Sequence, residues 1–262
     1  GSTYTEPGAS VSDNVDSGLV AAISGGTVVT TSPGSFTLRY NVNDAAGNAA
    51  TEVTRIVNVV DQSAPVITLN GMDPMVVAVG STYTEPGVSV SDNVDSGLVA
   101  AISGDTVVTT APGSFTIRYN VSDAAGNAAT EVTRTVNVVD QTAPVITLNG
   151  ADSMVVAVGS TYTEPGVSVS DNVDNGLVAT ISGDTVITTA PGNFTIRYNV
   201  SDAADNAATE VTRIVNVVDQ TAPVITLNGA DSMVVAVGST YTEPGASVSD
   251  NVDSGLVAAI SG

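Results

Sequence analysis

Apolar and polar residues alternate along this chain in short runs that are typical of β-strands. The clearest run is residues 115–122, where Phe, Ile, Tyr and Val alternate with Thr, Arg, Asn and Ser. Such alternation places one face of a strand against a core and the other face in solvent. No stretch shows the 3.6-residue apolar period of an amphipathic helix. The pattern therefore predicts an all-β protein.

The same criteria predict further strands on either side of this run. They are residues 65–69, 75–79, 88–91, 98–103, 107–110 and 132–139. Turn residues separate them: Asn70-Gly71, Gly104-Asp105, Pro112-Gly113 and a DAAGNAA hairpin turn. About seven short strands with turns about every 8 to 12 residues predict a small Ig-like β-sandwich.

The sandwich is repeated along the chain with a period of 79 residues. The stretch YTEPG begins at Tyr4, Tyr83, Tyr162 and Tyr241, and such self-similarity indicates a tandem array. Repeats 2 and 3, which are complete, differ at eight of their 79 positions. Repeat 1 lacks its first strands, and repeat 4 is the N-terminal part of a further unit. The four repeats are residues 1–63, 64–142, 143–221 and 222–262.

Composition narrows the possible functions. The 262 residues contain no Cys and no His, all six basic residues are Arg, and the net charge is −21. These absences exclude His-dependent and Cys-dependent nucleophile systems, thiolate metal sites and disulfides, so we expect no enzyme activity. The acidic chain is expected to be repelled by nucleic acid and by anionic membranes. Its apolar runs are also too short for insertion into a membrane, which takes about 20 residues of helix.

The order of these motifs resembles a known family. APVITLNG, YTEPG, DNVD and APGSFTIRYNVSDAAGN follow one another in repeat 2, as in the bacterial Ig-like tandem repeats of large surface proteins and adhesins. The repeats are also similar to the hyalin repeat and to modules at the end of some pesticidal crystal proteins. The resemblance implies an extracellular or cell-surface β-sandwich array serving adhesion or spacing, with no catalytic residues and with neighbouring repeats as partners.

Paired carboxylates recur in the motif DNVD, as Asp92 and Asp95 in repeat 2 and as equivalent pairs in the other repeats. An EF-hand loop needs ligands at alternating positions and a Glu at the twelfth, where repeat 2 has Ser103. The motif is therefore not an EF-hand. Taken alone, it predicts a turn closed by an Asp side chain.

Topology gives these carboxylates a second interpretation. In an Ig-like order, the DNVD loop and the DAAGN loop lie at the pole where the chain enters the domain. Acidic residues from the preceding linker and both loops then converge and repel one another unless they are solvated or neutralised. The resemblance also implies calcium between domains in some such arrays, and carboxylate oxygens suit Ca²⁺. We predict inter-repeat calcium sites, with a solvated acidic rim as the alternative. The candidate ligands are Asp61, Asp92, Asp95 and Asp123; Asp140, Asp171, Asp174, Asp202 and Asp205; and Asp219, Asp250 and Asp253.

Two smaller features of the sequence predict structural roles. The Pro-Gly pair of TYTEPG predicts a turn, with Tyr83 at the rim of the sandwich. Arg118 and Glu131 lie on adjacent predicted strands and are expected to form a surface pair worth at most ~1 kcal/mol.

Three functional hypotheses follow from the sequence. The first is a non-catalytic stalk or extender in a secreted or cell-surface bacterial protein, stiffened by calcium. The second is an extracellular filament or sheath, in which residues 222–237 of one chain supply the strands that repeat 1 of another copy lacks. In the third, each sandwich binds a surface ligand, either a glycan or a protein.

Overall fold

The computed structural model of the chain describes residues 3–261, which form strands and turns with no helix among them. Within this part of the chain there is accordingly no helix long and apolar enough to cross a membrane. The chain divides into two compact units, one ending at Val139 and one beginning at Asp140.

The strands recur with the sequence period. Repeat 1 contains β1 (Ala22–Gly25), β2 (Gly34–Asn41) and β3 (Val53–Val59). Repeat 2 contains β4 (Val66–Leu69), β5 (Met75–Ala78), β6 (Val88–Ser91), β7 (Ala101–Gly104), β8 (Gly113–Asn120) and β9 (Val132–Val139). Repeat 3 contains β10 (Val145–Leu148), β11 (Ser153–Ala157), β12 (Val167–Ser170), β13 (Thr180–Gly183), β14 (Gly192–Asn199) and β15 (Val211–Val218). Repeat 4 contains β16 (Val224–Leu227) and β17 (Ala246–Ser249).

Each complete repeat has two sheets. In repeat 2, β4 pairs with β6, and the second sheet has the order β5-β9-β8-β7. All pairs are antiparallel except β5 with β9, which run parallel with Met75 opposite Val136. Repeat 3 has the same arrangement. The predicted all-β, Ig-like fold is confirmed.

The core lies between the sheets and is built by the predicted alternation. Ile117 and Tyr119 of β8 are buried, whereas Arg118 between them is exposed. They pack in one cluster with Ile67 of β4 and Val136 of β9. The opposite face of β8 carries the predicted surface pair, with Arg118 Nη1 2.7 Å from Glu131 Oε1.

One predicted strand, residues 107–110, was wrong. These residues form no ladder; instead, the Thr109 carbonyl accepts a hydrogen bond from Gly80 N at 2.7 Å. A short apolar run can pack against a core without a strand partner, and Val107 does so here. The prediction for the DAAGNAA hairpin turn is confirmed, because Ser122 and Ala128 form a β-bridge.

A buried arginine joins the two halves of the sandwich and was not predicted. The Arg134 side chain on β9 is fully buried, and its Nε lies 2.9 Å from Glu85 Oε1. Its terminal nitrogens donate to the carbonyl oxygens of Asn70 at 2.6 Å and Gly87 at 3.2 Å, and to that of Met72. The turn predicted at TYTEPG therefore also supplies the counter-ion of a buried cation. Repeat 3 repeats the pair as Arg213 and Glu164.

The end of β7 gives a first testable prediction. Gly104 has φ +94°, and a Cβ there would lie 2.3 Å from Thr116 O. The left-handed backbone alone costs a larger residue roughly 1–2 kcal/mol, and the clash adds to that cost. We expect Gly104→Ala to destabilise repeat 2 by more than Gly97→Ala, because Gly97 has φ +73° but nothing within 4 Å. Thermal unfolding of both variants measures the difference, and equal losses would contradict the expectation.

Candidate metal centre

Three groups of carboxylates converge, each with one ligand oxygen per residue within 4.8 Å of the others. Cluster A is Asp61, Asp92, Asp95 and Asp123. Cluster B is Asp140, Asp171, Asp174 and Asp202. Cluster C is Asp219, Asp250 and Asp253. Eleven of the twelve predicted residues are thus brought together in the predicted sets.

Three segments of chain build cluster A. Asp61 lies in the linker between β3 and β4, Asp92 and Asp95 follow β6, and Asp123 opens the turn between β8 and β9. The ends of β6 and β8 therefore lie at one pole, next to the linker. Cluster B has the same construction, from the linker before β10 and from the loops after β12 and β14.

The DNVD loop is an Asp-closed turn, as its sequence alone predicts. Asp92 Oδ2 accepts hydrogen bonds from Val94 N at 2.8 Å and Asp95 N at 3.0 Å. The other oxygen, Asp92 Oδ1, is buried and has no hydrogen-bond partner in the described chain. One oxygen therefore shapes the turn, and the other makes no hydrogen bond within the described residues.

The second loop is tied to the first. Asp95 Oδ2 accepts a hydrogen bond from Ala124 N at 2.9 Å. The Asp123 carboxylate accepts hydrogen bonds from Asn127 N at 2.7 Å and from Asn127 Nδ2 at 2.6 Å. These bonds hold the acidic side chains of the two loops together.

The linker is held by the same loops. Asp61 Oδ1 accepts Ser63 N at 3.1 Å and Asn93 Nδ2 at 3.4 Å, and Asn127 Nδ2 donates to the Asp61 carbonyl at 3.3 Å. Asp61 Oδ2 is buried without a hydrogen-bond partner among residues 3–261. The sequence did not predict that Asn93 and Asn127 help to hold the linker. Both lie in the motifs that supply the acids, since Asn93 follows Asp92 in DNVD and Asn127 ends the DAAGN motif that begins at Asp123.

Cluster B reproduces these contacts and is more deeply buried. Asp140 and Asp202 are only 7% and 6% exposed. Asp140 Oδ1 accepts Thr142 N at 3.1 Å and Asn172 Nδ2 at 3.3 Å. Asp140 Oδ2 and Asp171 Oδ1 are buried and unpaired within the described residues, as are their counterparts in cluster A.

The electrostatics favour a bound cation. Burial raises the pKa of Asp123 and Asp202, but hydrogen bonds from Asn127 and Asn206 outweigh it and lower both pKa values. Both groups are therefore ionised at neutral pH. Two like charges about 4 Å apart repel by about 4 kcal/mol at an effective dielectric constant of about 20. A divalent cation would turn this repulsion into attraction.

Asp205 is the predicted ligand that does not join a cluster. It occupies the position of Gly126 in the hairpin turn, with φ 66°, and its side chain is exposed. The turn keeps its closing bond, from Asp205 N to Asp202 O at 3.3 Å. The Ig-like topology predicts the position of this loop but not the outward direction of the Asp205 side chain.

Comparison with known proteins identifies related sequences. The family described as "Bacterial surface protein, Ig-like domain" matches residues 1–59, 67–138 and 146–217. Hyalin from Strongylocentrotus purpuratus is 33% identical over 242 residues, covering 79% of this chain and 19% of hyalin. The chain thus spans about a fifth of the length of that relative.

Two solved structures show only a weak likeness. Drosophila N-cadherin EC1-3 has a TM-score of 0.27 at 10% identity, covering 73% of this chain and 79% of that one. The M60 catalytic domain with CBM51-1 and CBM51-2 from Clostridium perfringens ZmpB has a TM-score of 0.25 at 14% identity, covering 80% and 30%. Both scores are too low to carry an argument. The family matches cover most of the sequence in three tandem units, and on that basis the chain belongs to the bacterial surface protein Ig-like domain family.

Proposed function

We propose that this chain is an extender segment of a bacterial surface protein, in which calcium at clusters A, B and C fixes each linker to the repeat that follows it. Membership of the family indicates a structural repeat region of a surface protein. The calcium and the extender role go further, and they are supported by the geometry of the clusters.

The observation that carries the proposal is the set of unpaired, buried carboxylate oxygens. Asp61 Oδ2 and Asp92 Oδ1 have no hydrogen-bond partner in the described residues, and the same holds for Asp140 Oδ2 and Asp171 Oδ1. An unsatisfied buried acceptor is costly, and more so when it is charged. A cation would satisfy both oxygens of a pair.

The chemistry of the donors selects the cation. Every candidate side-chain ligand in the clusters is a carboxylate, and the chain has no His or Cys. Oxygen ligands in this number, held on separate loops, suit Ca²⁺ better than Zn²⁺ or Cu²⁺. Mg²⁺ demands a more regular geometry and keeps more of its water, so we expect it to bind less tightly.

Calcium at these positions would act on the linkers. In cluster A, one unpaired oxygen belongs to the linker (Asp61) and the other to the repeat (Asp92). A cation bound to both would restrict motion of the linker relative to its repeat. Near-identity of repeats 2 and 3 supports an extender role, because such an array adds length rather than new chemistry.

Titration of the calcium-free chain tests the proposal. We expect calorimetry to show saturable Ca²⁺ binding and thermal unfolding to shift upward at millimolar Ca²⁺, with smaller effects of Mg²⁺ at the same ionic strength. A cation that binds the folded chain but not the unfolded chain must raise the free energy of unfolding. An unchanged melting temperature and no binding heat would overturn the calcium proposal.

The clusters also predict an order of affinity in this chain. Clusters A and B each supply four carboxylates, whereas cluster C supplies three and its Asp253 is exposed. Fewer charged ligands weaken Ca²⁺ binding. We expect two sites of similar, higher affinity and one weaker site. Three equal sites in a calorimetric titration would contradict this expectation.

The other two hypotheses predict different results. A filament built by strand exchange would appear as open-ended polymers that disappear when residues 222–237 are removed. A binding module would show saturable binding to a glycan or protein, abolished by loop substitutions that leave calcium binding intact.

A further inference from the structure

We infer that Asn175-Gly176, in the loop of cluster B, is a site of spontaneous deamidation that adds a slow, irreversible change to this cluster alone. The chain contains four Asn-Gly pairs, at Asn70, Asn149, Asn175 and Asn228. Three of them occupy the same turn in successive repeats. Asn175 stands apart, because repeat 2 has Ser96 at the equivalent position.

The reaction needs only the chain and water. The backbone nitrogen of Gly176 loses its proton and attacks Cγ of Asn175, forming a C–N bond while the Cγ–Nδ2 bond breaks and ammonia leaves. Water then opens the resulting succinimide at either carbonyl, which gives Asp or isoaspartate. Glycine favours the first step because it has no Cβ to obstruct the approach of its nitrogen. Proton loss from the amide makes the reaction faster at higher pH.

The other three Asn side chains are tethered. Asn70 Nδ2 donates to Pro86 O at 3.4 Å, Asn149 Nδ2 to Pro165 O at 3.3 Å, and Asn228 Nδ2 to Pro244 O at 3.3 Å. The backbone nitrogen of each Asn also donates a hydrogen bond, at 2.9–3.0 Å, to the carbonyl oxygen of the glycine that follows this proline. Attack on Cγ would require these turns to open, because a reacting pair must reach a specific close geometry.

Asn175 has no such tether. It is exposed, and among residues 3–261 its side chain makes no hydrogen bond. A Cβ built at Gly176, which has φ +75°, would meet nothing within 4 Å. Gly71 and Gly229 are more crowded, because a Cβ there would lie 3.5 Å and 3.6 Å from a proline side chain. Since Asn175 is exposed and untethered and Gly176 is uncrowded, we expect this pair to react first.

The position of Asn175 connects the reaction to the cluster. Asp174 precedes it directly and accepts Ala203 N at 2.9 Å, a bond that joins the two loops of cluster B. Isoaspartate at residue 175 would lengthen the main chain by one methylene beside this ligand. If cluster B binds calcium as proposed above, the modified chain should bind it more weakly, while cluster A keeps its affinity. Calcium bound at Asp174 would also hold this loop in one conformation and hinder the approach of the Gly176 nitrogen to Cγ of Asn175, so calcium should slow the modification.

Peptide mapping of the full chain tests the inference. Cleavage before Asp releases residues 61–72 and 174–183, each with a single Asn, from one Asn-Gly pair. It also releases residues 140–151 and 219–230, which are identical in sequence and are therefore followed together as one peptide. The chain is held at mildly alkaline pH without calcium, and samples are taken over days. Isoaspartate at residue 175 gives residues 174–183 heavier by one mass unit, whereas Asp at residue 175 is a new cleavage site and gives residues 175–183. We expect these two products to appear before any product of the other pairs, and Asn175→Ser to abolish both. Equal rates of modification in all of these peptides, or no modification of residues 174–183, would overturn the inference.

Calcium provides the second measurement. The aged and fresh chains are titrated with CaCl₂, and the ageing is repeated with calcium present. We expect the aged chain to lose affinity at one of its two tighter sites, and Asn175→Ser to retain both after ageing. Unchanged affinity in a chain shown by mass to be modified would overturn the coupling to cluster B. If the fresh chain binds no calcium, the proposed function fails, whereas the mass result still stands or falls independently.

Discussion

Replacing Glu85 with Gln is expected to destabilise repeat 2 by about 3–5 kcal/mol, because it leaves a buried guanidinium without its counter-ion. The Arg134 side chain is fully buried and Glu85 is mostly so. The carbonyls around Arg134 remain, but they do not neutralise its charge. A shift of this size is a large share of the stability of a small domain. Thermal or urea unfolding of the full chain measures it.

The surface pair provides a matched control. Arg118 and Glu131 form the same chemical pair, but their side chains are 48% and 40% exposed. Glu131→Gln should cost at most ~1 kcal/mol, since exposed pairs contribute little. Repeat 3 is an internal reference, because its own pair, Arg213 and Glu164, is untouched. Similar losses in both variants would show that the buried pair is not a main support of the sandwich.

Acid should weaken the wild-type pair of Arg134 and Glu85 as the substitution does, because protonation removes the charge of Glu85. Burial raises the pKa of Glu85, but the hydroxyls of Tyr119 and Tyr83, the Gly87 amide and the Arg134 charge together lower it below its usual value. A lowered pKa in the folded chain gives stability that is present above the pKa of an unfolded glutamate. That stability is lost as the pH falls through the lower folded value. Glu85→Gln should therefore be less stable at neutral pH and less sensitive to acid.

Local pattern was sufficient for the strands whose two faces differ. The alternation at residues 115–122 predicted β8 because side chains change face at every residue. The parallel pairing of β5 with β9 was not predictable in this way, because Met75 and Val136 are far apart in sequence. Residues 107–110 show the same limit, since an apolar run does not reveal whether a partner strand is available.

The buried arginine did leave a signal in the sequence. In β9, Val132, Arg134, Val136 and Val138 occupy the inward positions of one alternating strand. A charge in that register needs a partner, because isolated buried charges are strongly disfavoured. Its partner, Glu85, lies 49 residues away. The sequence pattern could therefore predict that a pair exists, but not which acid completes it.

The acidic clusters were predictable from topology rather than from motif spacing. DNVD alone gives a turn, and the structure contains that turn. The additional information came from the Ig-like order, which places a linker and two loops at one pole. What topology could not give was the role of each oxygen. In Asp92, one oxygen closes the turn and the other is left buried and unpaired.

Removing one unpaired oxygen from cluster B should abolish a calcium site. Asp171→Asn keeps an oxygen for the Val173 and Asp174 amides but removes the charge from the unpaired position. A ligand at a hundred times its Kd stabilises the folded state by about 2.7 kcal/mol. We expect the variant to lose the calcium-dependent stabilisation associated with cluster B and to show one fewer high-affinity site by calorimetry.

Asp205→Gly is the matched control, because it removes a nearby carboxylate and restores the residue that repeat 2 carries at Gly126. Asp205 is exposed and outside cluster B, so this variant should bind as many calcium ions as the wild type. Asp92→Asn should remove the equivalent site in cluster A and leave cluster B intact. If Asp205→Gly lost a site and Asp171→Asn did not, cation binding would depend on the acidic rim of the turn rather than on the buried oxygens. Calcium would then bind through the exposed surface charge and not at the buried carboxylates. Such binding would weaken as the salt concentration rises, because salt screens exposed charges.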